Sequence, residues 1–154
     1  MRRFLLTTLL IFGAIGVNLA VASVPAQAVP GAGVGFFFDA PTLSFTSVVR
    51  VMLGSGVAGV HFDIMSIQSA SLTFIPSLVL NVPFTLAPGI LLVPYIGLGP
   101  VIRIPPAFVP PYLQAKVGDL LSFYGFGMYI ELAFNVIPLP LGFQGVGFGV
   151  TANF

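Results

Sequence analysis

His61 is the only histidine of the chain, and Ser44, Ser47, Ser66 and Asp63 lie near it in sequence. A histidine beside a serine can act as a general base for a hydrolytic nucleophile, with an acid to orient it. That chemistry needs a nucleophile–base–orienter geometry, and no spacing here demonstrates one. The second reading of His61 is a member of an interior polar cluster with Arg50 and Asp63. The second reading is adopted, so no catalytic residue is assigned and no enzymatic activity is expected.

The glycine pairs Gly97-x-Gly99 and Gly125-x-Gly127 and the triplet Gly145-x-Gly147-x-Gly149 invite comparison with phosphate-binding loops. A dinucleotide fingerprint needs a strand, then G-x-G-x-x-G, then a helix. Here the glycines recur at a period of two and no helical pattern follows. That period fits small inward residues making room within a curved sheet. No His/Cys/Asp/Glu group has metal-ligand spacing, and the chain has no cysteine. No metal or cofactor is expected.

The elements that must carry these residues are strands. Val34–Asp39, Leu43–Leu53, Val57–Ile67, Leu72–Leu86, Ile90–Ile104, Leu120–Asn135 and the segment from Leu141 to the end all alternate with period two. Ser55-Gly56 and Ala87-Pro88-Gly89 are predicted as tight turns. A two-residue turn at Ser55-Gly56 would place Arg50 opposite His61 and diagonal to Asp63. Pro105, Pro106, Pro110 and Pro111 oppose a regular ladder, so residues 105–118 read either as a loop or as a poor strand over Phe108–Val117. Asp39, Arg50, Asp63, Arg103 and Glu131 fall on the faces opposite the bulky apolar ones. With His61 they form an expected interior polar cluster: Asp39, Arg50, His61, Asp63, Arg103 and Glu131.

The final strand, LGFQGVGFGVTANF, shows the pattern most plainly. Val146, Phe148, Val150, Ala152 and Phe154 share one face, and Gly145, Gly147, Gly149, Thr151 and Asn153 share the other. Large apolar groups facing out and small or polar groups facing in are suited to lipid outside and a crowded interior. The strand resembles the closing strand of small bacterial outer-membrane β-barrels, and PYIGLGPVIR resembles their internal strands. The resemblance implies a closed antiparallel transmembrane barrel, an assembly signal at Phe154, and contact with outer-membrane lipid and the barrel-assembly machinery.

Composition agrees with that class. Charged residues make up 6% of the chain and hydrophobic ones 57%, whereas a soluble domain carries about 25% charged residues. Abundant glycine and proline argue against long membrane helices. Met1–Ala28 reads as a cleaved signal peptide: Arg2 and Arg3, an apolar run, then Ala26-Gln27-Ala28. Residues 29–154 would then be one barrel domain. It holds Arg50, Arg103 and Lys116 against Asp39, Asp63, Asp119 and Glu131, a balance with no footprint for nucleic acid.

Single-chain bacterial barrels have even strand numbers, so eight strands are expected, the eighth from Phe108–Val117 with a turn at Gly118-Asp119. An interior of that size is filled by side chains. The expected role is structural or interactive, in the outer membrane of a two-membrane bacterium. A narrow porin-like channel, a lipid-modifying hydrolase and a secreted self-associating β-protein are the alternatives.

Overall fold

The computed structural model describes residues 30–55, 57–67, 71–104, 112–137 and 141–154. The expected signal segment, Met1–Ala28, lies outside them. The described residues form β1 (Gly31–Asp39), β2 (Ser44–Ser55), β3 (Ala58–Ile67), β4 (Ser71–Asn81), β5 (Phe84–Ala87), β6 (Ile90–Ile104), β7 (Tyr112–Phe123), β8 (Phe126–Ile137) and β9 (Gly142–Asn153). Every pairing is antiparallel. β4 and β5 both pair with β6 and together make one barrel strand, so the sheet closes with eight.

The register shows how it closes. Cα partners lead from Gly54 on β2 through Gly59, Val79, Gly97, Lys116, Ala133, Gly145 and Asp39, and return to β2 at Ser44. That return point lies about ten residues along the same strand, a stagger that tilts the strands and leaves an interior just wide enough for side chains. The ends of β1 and β9 at Gly31 and Asn153 mark the lower rim. Asp39, Ile104 and Ile137 mark the upper rim.

Alternation holds around the barrel. Val34, Val49, Ile64, Leu78, Ile96, Val117, Ile130 and Phe148 are exposed on the outer face. Phe37, Val48, Met65, Ile75, Val101 and Ala133 pack together inside, and Met52, Val79, Val93, Tyr95, Leu120 and Tyr129 form a second interior cluster. Outward-facing charge is confined, among the described residues, to Asp119.

Several boundaries differ from the sequence reading. The segment Leu120–Asn135 is not one strand, and Gly118-Asp119 is not a turn. The chain reverses at Tyr124-Gly125, where φ is 45° and 86°. Positive φ at both central residues is the hairpin geometry that matches strand twist. Gly118 instead lies mid-strand, where an added Cβ would meet the Tyr95 ring at 2.8 Å. The expected eighth strand is found as β7, which includes residues 112–117 and continues to Phe123, while residues 108–111 of the expected Phe108–Val117 lie outside the described residues.

The β2–β3 turn is displaced by one residue. Ser55 pairs with Ala58, which sets Arg50 directly opposite Asp63, and His61 opposite Met52. The expected Leu72–Leu86 strand is interrupted after Asn81, before Pro83, which has no N–H to donate. The expected three-residue loop at Ala87-Pro88-Gly89 is a Pro88-Gly89 turn beside a bulge between Thr85 and Ala87, and the bulge supplies the same odd count. The β4–β6 ladder pauses between Phe74–Ile102 and Leu78–Leu98. That register sets Pro76 against Pro100, two residues that lack ladder donors.

Candidate functional site

The polar centre of the molecule lies within the barrel wall. Arg50 projects inward from β2, and three strands supply its partners. Its Nε donates to Asp63 Oδ1 at 2.6 Å and Nη2 to Asp63 Oδ2 at 2.9 Å, a two-pronged contact from the neighbouring strand β3. Nη2 also reaches Glu131 Oε1 on β8 at 2.6 Å. Nη1 donates to the Tyr95 hydroxyl on β6 at 3.0 Å, and that hydroxyl donates to Glu131 Oε2 at 2.7 Å. Lys116 on β7 completes the set through its ion pair with Asp63 Oδ2. The guanidinium lies 4.1 Å from the centroid of the Tyr129 ring.

Two cations and two carboxylates thus balance in a space excluded from solvent. Arg50 and Lys116 are each 1% exposed, Asp63 0% and Glu131 3%. Burying such ions costs several kcal/mol each, and the cost is offset only when the geometry satisfies them together. Here the guanidinium fork meets one carboxylate with two donors and reaches a second, while a tyrosine bridges. Glycines on the neighbouring strand β9 make room: a Cβ at Gly147 would meet its cross-strand partner Glu131 at 2.9 Å, and one at Gly149 would meet the ring of its partner Tyr129 at 2.7 Å. The period-two glycines of β9 are therefore matched to large interior groups on β8.

Of the six residues expected in the cluster, Arg50, Asp63 and Glu131 come together directly. His61 adjoins them through Tyr95, edge-on with ring centroids 5.0 Å apart. Asp39 is separate: at the upper rim it accepts the Thr42 N–H at 3.3 Å and caps the β1–β2 turn. Arg103 is also separate, its guanidinium 6.0 Å from the Tyr112 ring centroid. Lys116 and Tyr95 belong to the cluster but were not assigned to it. Tyr95 lies on an alternating strand, but nothing in the sequence links it to Arg50, 45 positions away. Lys116 lies in the segment left ambiguous because of its prolines.

The serine–histidine arrangement is not formed by the residues considered for it. Ser47 and Ser66 are exposed and pair with each other across β2 and β3. Ser44 bonds to Thr42 at the rim. Asp63 is engaged by Arg50 and Lys116. The cross-strand neighbour of His61 is Ser77, and neither His61 Nδ1 nor Ser77 Oγ has a hydrogen-bond partner.

The class defined by this fold and interior is a closed eight-stranded antiparallel β-barrel with an apolar exterior and a charge-balanced ionic centre. No family model, curated protein or solved structure matches the chain.

Proposed function

We propose that this chain is a small outer-membrane barrel, exported by residues 1–28, that serves a structural or interaction role and does not conduct solutes. The observation that carries the reading is the inversion of polarity. The interior holds the ion network, and the exterior holds a continuous girdle of exposed aliphatic and aromatic groups. A soluble monomer rarely exposes a contiguous apolar patch above a few hundred Å². Lipid is the medium in which such a surface is stable.

Further support comes from the ends of the girdle. Phe45 and Phe143 lie near the upper rim, and Tyr124, Phe126 and Phe154 near the lower. Aromatic rings at both interfaces are typical of membrane barrels. Asp119 faces outward, paired across the wall with Pro94 and Ile130, and an outward carboxylate costs less than an outward arginine. The interior clusters above and below the ion network support a closed lumen.

The deciding experiment is fractionation with heat-modifiable gel migration. The protein should sediment with outer membranes, shift on boiling, and show β-type circular dichroism in detergent. A soluble, non-shifting species would overturn the reading. Planar-bilayer recordings should give no regular unit conductance, and reproducible steps would replace the closed barrel by a channel.

A further inference from the structure

Asp119 is an exposed carboxylate on an otherwise apolar stretch of the outer wall. Its cross-strand partners are Pro94 on β6 and Ile130 on β8. Ile96, Val117, Met128 and Ile130 around it are exposed and apolar. Asp119, Pro94 and Ile130 are each the fifth residue from the lower end of their strand, counted from the rim that carries Tyr124 and Phe126. Four steps along a strand tilted by about 40° rise about 10 Å, and the apolar band of a membrane barrel is about 25 Å tall. With the outer face in lipid, as proposed above, the carboxylate stands near the middle of the hydrocarbon.

A carboxylate only accepts hydrogen bonds, and hydrocarbon holds no water to donate them. Pro94, directly opposite, has no N–H. The barrel's own cations are committed elsewhere. Of the five basic residues of the chain, Arg50 and Lys116 are bound in the central network and Arg103 lies on the inner face beside Tyr112. The other two, Arg2 and Arg3, belong to the export segment. In membrane proteins an ionisable group at hydrocarbon depth is rare and is paired with another. Aspartate is too short to carry its charge to the headgroups, whereas arginine and lysine extend along apolar surface and bring a charge to it. A second copy does not supply that cation. Two parallel copies meeting on this face set Asp119 against Asp119, and like charges repel.

We propose that the face centred on Asp119 docks a different membrane-embedded protein, one that presents an arginine or lysine at the same depth. Apolar contact alone gives little preference for protein over lipid, so the polar pair supplies the attraction and selects the partner. The proposal rests on the outer face being in lipid.

The probe is a synthetic membrane-spanning leucine helix with one lysine at the depth of Asp119, compared with the same helix carrying leucine there. Pro88→Cys, at an exposed turn, takes a dye on the barrel, and energy transfer to labelled peptide is measured in phosphatidylcholine vesicles. The lysine helix should bind about fivefold or more tightly than the leucine helix. Asp119→Asn should remove that preference, and Asp119→Leu should do the same. Folding of each variant is checked by its shift on boiling, and either folded variant is sufficient.

Equal binding of the two helices by the wild type, or a lysine preference kept in a folded variant, would overturn the docking site. Energy transfer between two labelled barrels that Asp119→Asn abolishes would give the face to a second copy instead. Loss of the preference when phosphatidylethanolamine replaces phosphatidylcholine would give Asp119 to a lipid amine. Either result overturns the choice of partner. Failure of the wild type to insert into vesicles would overturn the lipid reading itself, whereas normal insertion without a lysine preference overturns only the docking site.

Discussion

Arg50 and Arg103 occupy the same inner face of one barrel and differ in almost everything that surrounds them. Arg50 is 1% exposed, bonded to two carboxylates and a tyrosine hydroxyl, and set over a second tyrosine ring. Arg103, at the upper rim, has one aromatic neighbour and an unpartnered Nε. The difference teaches that an interior charge in a barrel has two settings. Away from the mouth, where water is excluded, it must be neutralised in place and becomes part of the architecture. Near the mouth Arg103 stands beside an aromatic ring and, among the described residues, makes no ion pair.

The largest effect should follow from breaking the central network. Arg50→Ala leaves Asp63 with Lys116 alone and Glu131 with only the Tyr95 hydroxyl. Leaving a buried charge without its partner costs about 3–5 kcal/mol. Urea titrations of the folded gel band should show that loss, and a loss below that of Arg103→Ala would erase the distinction between the two arginines.

A neighbouring residue sharpens the same comparison. Val49 faces out between Val34 and Ile64, one position from Arg50. With the outer face in lipid, as proposed, Val49→Arg puts a charge in hydrocarbon at about 2–4 kcal/mol near mid-depth. Its folded yield in lipid vesicles should fall well below wild type. An undiminished yield would mean that this face does not meet lipid.

Tyr95→Phe removes only the hydroxyl that joins Arg50 to Glu131. A cost of about 1–3 kcal/mol is expected, because both partners of that hydroxyl are charged. No measurable change would show that the direct Arg50–Glu131 contact is sufficient without the bridge.

The smallest effect on stability is expected for Arg103→Leu, within about 1 kcal/mol in the same urea titration, since no ion pair is lost. A loss as large as that of Arg50→Ala would reveal a structural dependence that the rim geometry does not contain.

Much of the wall was legible because alternation is a local property. Val34, Phe36, Val49, Ile64 and the β9 residues could be assigned to the outer face from spacing alone. Turns were less legible where several small residues adjoin. Gly118-Asp119 has turn composition, but Tyr124-Gly125 takes the turn, because β7 must bring Lys116 and Leu120 inward before it reverses. A tyrosine at positive φ gives little signal in advance. The central cluster was half visible: Arg50, Asp63 and Glu131 could be placed on the inner face, but Lys116 was hidden by the surrounding prolines.

Composition and period-two patterning by themselves determined that this is a β-protein with its polarity turned inward and with most of its charges facing the interior. These follow from the chain because side-chain direction in a strand depends only on parity. Which charges meet was decided by the tertiary structure alone. Glu131 is 81 positions from Arg50, and Lys116 is 53 from Asp63. Their contact depends on a stagger accumulated over every strand pair, with bulges on β5, β8 and β9. A one-residue slip at any pair changes the height at which an interior side chain sits and turns it to the other face. The separation of Arg103 from the acids has the same origin, because closure of the whole barrel sets its height above them.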